Sequence, residues 1–587
     1  MFWSRVRRNF KLNEPIKAFI DEKDRVIRDS EGMLDLAAIH FENTFKESVV
    51  YRPHPYIDSP EIVWDNYNEE IPSITMGELR KTITKMKKKQ SCDAHGISPA
   101  MLKFLPTGYL GPMLKIFNES LKSCTGPSQW KLVKMRLLAK KDTICLVSDT
   151  RPISLLDTFL KVFERLFLIR FQKVLENRGL LHDSQSGFRS NFRLQSRVAL
   201  VLDQIASQRS NSAPVATVFI DFKQAFDMLW WDGCVGKLRR LGIPKAYVDW
   251  IESWLKDRQG FIEMNGSRSR LFPIRKGGPQ GSCLSPVIFI TYHCDMWKYI
   301  ENSLPNFYAD DLACVVGGRM GEKFTIQCLD VESKLKKLFE YLEFYAALSI
   351  QPINYEKTEW LWTARAIGRP KFEVQMGENK LQLVNSYRYL GYHISSRLGW
   401  SKMIAVYKLK IRQRVGILRN IHIFGMSSPN LRKILFDSYV RPLFSWLYSI
   451  FPLMTENQRD DLSHFYISCL KRTLGLWHWC DTLFATLTGE KFLENHVVNY
   501  WNRYIQHLNN STDGLLLGEQ VNLSIFRSLW IDKEMSLPRM YRSKRFVSNS
   551  STVQRCLRWL EQNGEDATPH IPESDLITLK SWPDSFL

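Results

Sequence analysis

Residues 304–316 read LPNFYADDLACVV. Two short apolar runs flank an acidic pair, the pattern of two strands joined by a tight turn that carries Asp310 and Asp311. An isolated Asp-Asp pair is ordinarily no more than a polar turn, and adjacent carboxylates repel. A bound divalent cation inverts that logic. Further upstream, VATVFID (215–221) is rich in β-branched and apolar residues and ends on a third carboxylate, Asp221. Carboxylates grouped at strand ends suit two Mg²⁺ ions roughly 3.5–4 Å apart, one activating an attacking oxygen and one stabilising a leaving oxygen. Mg²⁺ takes only one or two protein carboxylates and completes its shell with water and substrate phosphate, so such a site belongs to phosphoryl or nucleotidyl transfer.

Around this centre the chain alternates helical and strand patterns. Thr75 opens a helix with Glu78 in the capping-box position and lysines 85, 87, 88 and 89 toward its end, a solvated helix end or a weak nuclear signal. Trp130–Lys141 has strand character, and Leu156–Arg178 reads as a long helix closed by Gly179. The run CLSPVIFITYHCDMWKYI (283–300) reads as a buried helix. Beyond residue 400 the texture becomes helical, with amphipathic runs at Lys402–Asn420, Pro429–Ile450 and Glu456–Leu476. The last hundred or so residues are mixed and carry a basic cluster at Arg539, Arg542, Lys544 and Arg545. Residues 1–70 read as a helical extension ending in an acidic, proline-containing loop.

Composition sets the class. With 587 residues the chain is too long for one ordinary domain, and 44% hydrophobic with 24% charged content is that of a globular protein. Net charge is +20, from 81 Lys and Arg against 61 Asp and Glu, which favours a polyanionic partner through counterion release. Eleven scattered cysteines with no C-x-x-C pair fit a reducing compartment. His464, Cys469, His478 and Cys480 match no zinc spacing. The longest apolar stretch, Leu443–Met454, is too short to cross a bilayer, and MFWSRVRRNF lacks the apolar core of a secretion signal.

The segments, taken in order, resemble the reverse transcriptases of non-LTR (LINE-type) retrotransposons. FIDFKQAFD (219–227), GGPQGSCLSP (277–286), FYADD (307–311), INYEKTEWL (353–361) and YRYLGYHIS (387–395) are similar to the five palm motifs of that family. RPISLLDTFLKVFERL (151–166) and SQSGFR (184–189) resemble its finger motifs, and SCDAHGISPAML (91–102) the extension that precedes them. The resemblance implies an α/β (α+β) right-hand polymerase, with fingers and antiparallel palm over residues 71–400 and a helical thumb over 401–484. Residues 1–70 would be an extension or linker, and 485–587 a region of unassigned fold. It implies an RNA-directed DNA polymerase that extends a primer 3′-hydroxyl with dNTPs on an RNA template. Asp221, Asp310 and Asp311, with the carbonyl of Phe222, would hold two Mg²⁺ ions, Mn²⁺ being able to substitute.

The same resemblance assigns further roles. Lys140 and Arg151 would grip the triphosphate, and Lys357 would neutralise or protonate the pyrophosphate. Phe226 would sit beneath the sugar and exclude a 2′-hydroxyl. Gln280 would contact the nucleotide, with Gly277, Gly278 and Gly281 admitting template and base pair closely. Tyr389, Leu390 and Gly391 would form a primer hairpin. Asp227 reads as a helix cap or structural acid. Lys408, Lys410, Arg412 and Arg414 would meet hybrid phosphates. The sequence departs from the family at Gly278, usually aliphatic, which is expected to loosen the loop, and at LSIQPIN (348–354), where the usual Gly-Leu lead-in is altered. The expectation is a polymerase module without an attached endonuclease, acting in the nucleus on RNA template, DNA primer and their hybrid, with no membrane partner. The alternatives are a domesticated, non-catalytic RNA-binding protein on the same fold and a group II intron maturase.

Overall fold

The computed structural model describes residues 16–140, 142–364, 370, 372–419, 429–475, 493–509 and 512–517. The basic cluster at 539–545, and His478 and Cys480, lie outside them, as does nearly all of the region from 485 onward apart from one helix and a short segment. The chain divides into two compact units. One gathers residues up to Phe188 with Asp221–Tyr299 and Glu340–Asn354, and the other Arg189–Ile220, Ile300–Phe339 and the chain from Tyr355.

In the first unit, β3 (Leu132–Ala139) is central. It runs antiparallel to β5 (Thr150–Leu155) and parallel to β7 (Arg258–Met264), which also pairs with β8 (Ser267–Arg268) and β9 (Phe272–Ile274). The stretch expected as a helical extension is partly sheet. β1 (Ala18–Ile20) and β2 (Val26–Ile27) form a hairpin, and β1 pairs in parallel with β4 (Ile144–Leu146). The helix Ser30–Thr44 follows, capped by Asp29, and its Met33, Leu34, Ala37, Ala38 and Phe41 join the main core at helical spacing. The helix Met76–Lys85 begins with the expected capping box between Thr75 and Glu78.

The predicted helix at 156–178 is found at Thr158–Asn177, and Gly179 leaves it with φ +59°. Its aromatic stripe stacks on the helix Lys245–Leu255: Phe167 lies 4.2 Å and Phe163 4.9 Å from Trp250, ring centre to ring centre. The run at 283–300 is not one helix. Only Ser285–Tyr292 is α-helical, and a 3₁₀ turn at Met296–Tyr299 follows the break at His293. Six consecutive β-branched or aromatic residues from Val287 to Tyr292 give weak helical propensity, so burial rather than propensity holds that short helix.

The second unit is built on a five-stranded sheet in the order β10 (Leu304–Tyr308), β11 (Asp311–Gly317), β6 (Val215–Ile220), β12 (Glu359–Thr363) and β15 (Gln382–Val384). All pairings but β12 with β15 are antiparallel. Every residue of β6 is buried, as its unbroken apolar run requires of a central strand. The helix Leu194–Ser210 packs on β6, β10 and β11. From it the fully buried Arg197 donates to Asn306 Oδ1 on β10, while Asn306 Nδ2 donates to Gln204.

Two hairpins follow, β13 (Gln375–Met376) with β14 (Asn379–Lys380), and β16 (Ser386–Tyr389) with β17 (Tyr392–Ser395). Helices Ser401–Arg419, Pro429–Leu435, Arg441–Tyr448 and Glu456–Leu474 match the predicted helical runs, with a π-helical turn at Phe436–Val440 joining the middle two. Their packing corrects one expectation. Lys408 is buried in an ion pair with Asp461, and Arg414 donates to the Tyr439 carbonyl, so both are engaged within the bundle. Arg412 remains exposed. Among the described residues no helix is long and apolar enough to cross a membrane.

In the first unit a buried lysine anchors the segment around Tyr56. Lys237 Nζ is paired with Asp295 and lies 5.0, 5.2 and 5.1 Å from the ring centres of Tyr56, Tyr292 and Tyr345. The neighbouring Gly236 lets the Tyr56 carbonyl approach: a Cβ there would stand 2.0 Å from that oxygen. Gly236→Ala is expected to lower the unfolding free energy by about 1–3 kcal/mol through this clash, read as a shift of the urea midpoint with an unchanged slope.

Candidate active site

The register of the five-stranded sheet decides where the carboxylates go. The last rung between β6 and β11 pairs Ile220 with Leu312. Asp221 is bonded to Ile220, and Asp311 to Leu312. Tyr308 pairs with Asp311 across the β10–β11 turn, so Ala309 and Asp310 form a two-residue connection in which Ala309 takes φ +61°. Asp310 is half-buried and Asp311 exposed. β12 starts at the same end, with Glu359 opposite Phe219, and the exposed Lys357 lies two residues before it.

Asp221 is held by a residue the motif reading quoted but did not single out. Asn354 donates from its backbone N–H to the Asp221 carbonyl at 2.7 Å and from its Nδ2 to Asp221 Oδ2 at 2.9 Å. Phe222 is buried and forms a β-bridge with Ile353. An amide on one carboxylate oxygen fixes the plane of the group. The signal was available in INYEKTEWL, where a polar residue follows a buried isoleucine immediately before the turn.

Among the described residues no three His, Cys, Asp or Glu side chains gather into a group able to hold a metal ion alone. Hard carboxylate oxygens at the sheet end nonetheless suit Mg²⁺, which asks for one or two of them and takes water and phosphate for the rest.

The 277–283 loop is stitched to the segment after Phe222. Gly277 and Gly278 donate their N–H groups to the carbonyls of Leu229 and Phe226, each at 2.8 Å, and Trp231 Nε1 donates to the Gly277 carbonyl. Gly277 has φ +87°, and a Cβ on it would stand 2.7 Å from the Asp227 carbonyl. What Gly277 admits in the structure is thus the chain's own backbone. Gly278 is buried, and a Cβ there would meet Ser285 at 3.1 Å. A backbone bond to the Phe226 carbonyl and the neighbouring Ser285 hold this position.

Gln280 donates Nε2 to both oxygens of Asp227 at 2.8 Å. Asp227 is accordingly a structural acid and caps no helix. Burial pushes its carboxyl up to about 6, against the opposing pull of the Gln280 amide and of Lys140. Phe226 is half-buried, its ring 4.8 Å from that of Phe289 and 6.3 Å from that of Phe188. Lys140 and Arg151 are exposed on the β3–β5 pair, Lys140 donating to the Ser148 carbonyl at 2.7 Å.

Leu390 and Gly391 form the turn of the β16–β17 hairpin, both with positive φ, +48° and +87°. Tyr389 is 2% exposed and donates its hydroxyl to the Asn306 carbonyl. Its part is to anchor the hairpin, whose turn residues Leu390 and Gly391 are half-buried.

Comparison with known proteins supplies the class. Residues 138–394 match the sequence model of the family described as reverse transcriptase (RNA-dependent DNA polymerase), a span that takes in every expected site residue from Lys140 to Gly391. Residues 138–394 thus form a reverse transcriptase domain, and the chain is similar to proteins named for transposons, mobile elements and retrotransposable elements. It is similar to the probable RNA-directed DNA polymerase from transposon BS of Drosophila melanogaster, 25% identical over 436 residues that cover 72% of this chain and 47% of that protein. It is also similar to the RNA-directed DNA polymerase from mobile element jockey of the same fly, 26% identical over 70% of this chain and 45% of that protein. The uncharacterized 149 kDa protein of transposon TX1 of Xenopus laevis is 23% identical over 65% of this chain and 29% of that protein. The chain spans about half the length, or less, of these curated relatives.

The raised Asp227 carboxyl has a consequence for stability. The folded state takes up a proton below about pH 6, whereas the unfolded state does so only near pH 4, so this contribution is full at low pH and is lost as pH rises through about 6. From pH 5 to 7.5 the unfolding free energy is expected to fall by about 1 kcal/mol through this group. Urea unfolding of Asp227→Asn at both pH values should lack that component, and an identical pH dependence in the variant would refute it.

Proposed function

We propose that this chain is an RNA-directed DNA polymerase that extends a primer 3′-hydroxyl with dNTPs on an RNA template. The observation that supports the reading is the β6–β11 register inside a reverse transcriptase domain, whose last rung pairs Ile220 with Leu312, the chain neighbours of Asp221 and Asp311. In this reading the five-stranded sheet is the palm, the β3–β5–β7 sheet belongs to the fingers, and the helices from Ser401 to Leu474 form the thumb.

Asp221, Asp310 and Asp311, with the Phe222 carbonyl, would hold two Mg²⁺ ions. When bound, the ions supply Lewis-acid stabilisation of attacking and leaving oxygens. The protein's own work is positioning. Asn354 sets the plane of the Asp221 carboxylate. Asp227 fixes the Gln280 amide, which orients the incoming nucleotide. Phe226, braced by Phe289 and Phe188, presents a ring edge where a 2′-hydroxyl would stand. Lys140 and Arg151 neutralise the triphosphate, and Lys357 the departing pyrophosphate. Leu390 and Gly391 steady the primer end, and Arg412 with Lys410 meets hybrid phosphates in a shape-directed way. Partners are an RNA template, a DNA primer and their hybrid, and the place of action is the nucleus.

Two outcomes test this. Primer extension on poly(rA) with oligo(dT), dTTP and Mg²⁺ is expected to occur, and Asp310→Ala to lower its rate by about 10³-fold or more while hybrid binding persists. Undiminished extension in the variant would remove Asp310 from the site. Phe226→Ala is expected to raise the preference for rNTP relative to dNTP by about tenfold or more, measured as the ratio of kcat/KM values. An unchanged ratio would return Phe226 to a packing role.

A further inference from the structure

We infer that Glu164 is the positioning residue of the 277–283 loop, holding Gln280 ready for the nucleotide through Ser282 and Cys283. The inference rests on the polymerase reading above. Glu164 is fully buried on the helix Thr158–Asn177, on the same face as Leu160, Phe163, Phe167 and Phe171. An acid on an apolar stripe has no solvation to recommend it and is retained only where specific bonds demand it.

The bonds are these. Glu164 Oε2 accepts from Ser282 Oγ at 2.8 Å and from the Cys283 backbone N–H at 3.3 Å, and Oε1 accepts from Trp254 Nε1 at 3.0 Å. Ser282 Oγ in turn accepts from the backbone N–H groups of Leu284, at 2.9 Å, and Ser285, at 3.3 Å. Its single proton is thereby committed to Glu164. All three bonds run toward the carboxylate, which has acceptor capacity for each, whereas a carboxamide offers one acceptor oxygen and would turn an N–H donor toward another donor. Arg258, 2% exposed, interacts electrostatically with Glu164 and donates Nε to the Trp254 carbonyl.

The same stretch of chain grips the loop a second time. Ser154 on β5 donates its N–H to the Gln280 carbonyl at 2.8 Å, and its own carbonyl lies where a Cβ on Gly281 would come within 2.4 Å. Gln280 is thus clamped through its side chain by Asp227 and through its backbone by Ser154, and Glu164 fixes the residues that follow. Removing the Glu164 bonds frees one end of the loop and leaves Asp227 and Ser154 intact. That predicts weaker nucleotide binding with little change in the chemical step.

The experiment compares wild type, Glu164→Gln and Ser282→Ala by steady-state extension with varied dTTP, and by the alkylation rate of Cys283 followed by peptide mass mapping. In Ser282→Ala, which keeps the Glu164 charge beside the thiol, Cys283 reports loop order without any need for activity. Its thiol is half-buried, 3.8 Å from Glu164 Oε2, and burial with that carboxylate pushes it up to about 12. Glu164→Gln is expected to raise KM for dTTP about tenfold with kcat within about twofold, and to speed Cys283 alkylation severalfold. Ser282→Ala reads the same bond from the loop side, and should move both quantities the same way even if Glu164→Gln fails to fold. A double variant no worse than Glu164→Gln alone places both residues on one path. Unchanged KM and unchanged alkylation, with only a lowered melting temperature, would overturn the inference while leaving the polymerase reading intact. If wild type does not extend a primer, the polymerase reading fails, and faster Cys283 alkylation in Ser282→Ala, where the Glu164 charge is kept, still supports the loop contact.

Discussion

The pairing of β6 with β11 is the constraint on which the candidate site depends. Six rungs from Val215–Gly317 to Ile220–Leu312 fix one strand against the other, and every β6 residue is buried. Side chains alternate across a strand with period two, so a slip of one residue would exchange the two faces of β6 and shift Asp221 relative to the β10–β11 turn. Neither change is tolerable. Phe219 stacks on Tyr387 at 4.0 Å, and Arg197, Asn306 and Gln204 form a buried polar chain that admits one arrangement of donors and acceptors. Register is thus set by packing and polar satisfaction along the sheet.

A second theme is how the polar groups near the chemistry are restrained. Asn354 on Asp221, Asp227 on Gln280 and Glu164 on Ser282 share one logic: a side chain that touches no substrate fixes the rotamer or backbone of one proposed to do so. Each restraint lies in the first unit, where the aromatic core around Phe163, Phe167 and Trp250 supplies rigidity. Proton, charge and volume at these positions are therefore more sensitive than exposure alone would indicate, which accounts for the raised carboxyl of Asp227.

The elements legible in the sequence were those whose local pattern and tertiary need agree. The Thr75 capping box, the helix ending before Gly179, the strand ending before Asp221 and the two strands flanking Asp310 and Asp311 all carry caps, turns or alternation that no packing contradicts. Legibility failed where burial decided. Ser285–Tyr292 is a helix shorter than its apolar run, the segment around Phe19 is a strand because β4 offers it an edge, and Lys408 and Tyr389 look like surface groups by composition yet are enclosed by the Asp461 carboxylate and the Asn306 carbonyl. The glycines of the 277–281 loop were legible as backbone requirements, but the partner they admit was not.

The sequence by itself determined the chemical inventory: the three aspartates, the glutamine within its glycine loop, the phenylalanine five residues after Asp221 and the order in which they occur. These are fixed because residue type and spacing along a strand or turn are local properties. Tertiary structure alone decided which groups hold the others. Asn354 meets Asp221, Asp227 meets Gln280 and Glu164 meets Ser282 across separations of 133, 53 and 118 residues, and no local pattern encodes such a pairing. The physical reason is that a hydrogen bond between distant residues exists only once burial has excluded water and left each donor a single acceptor.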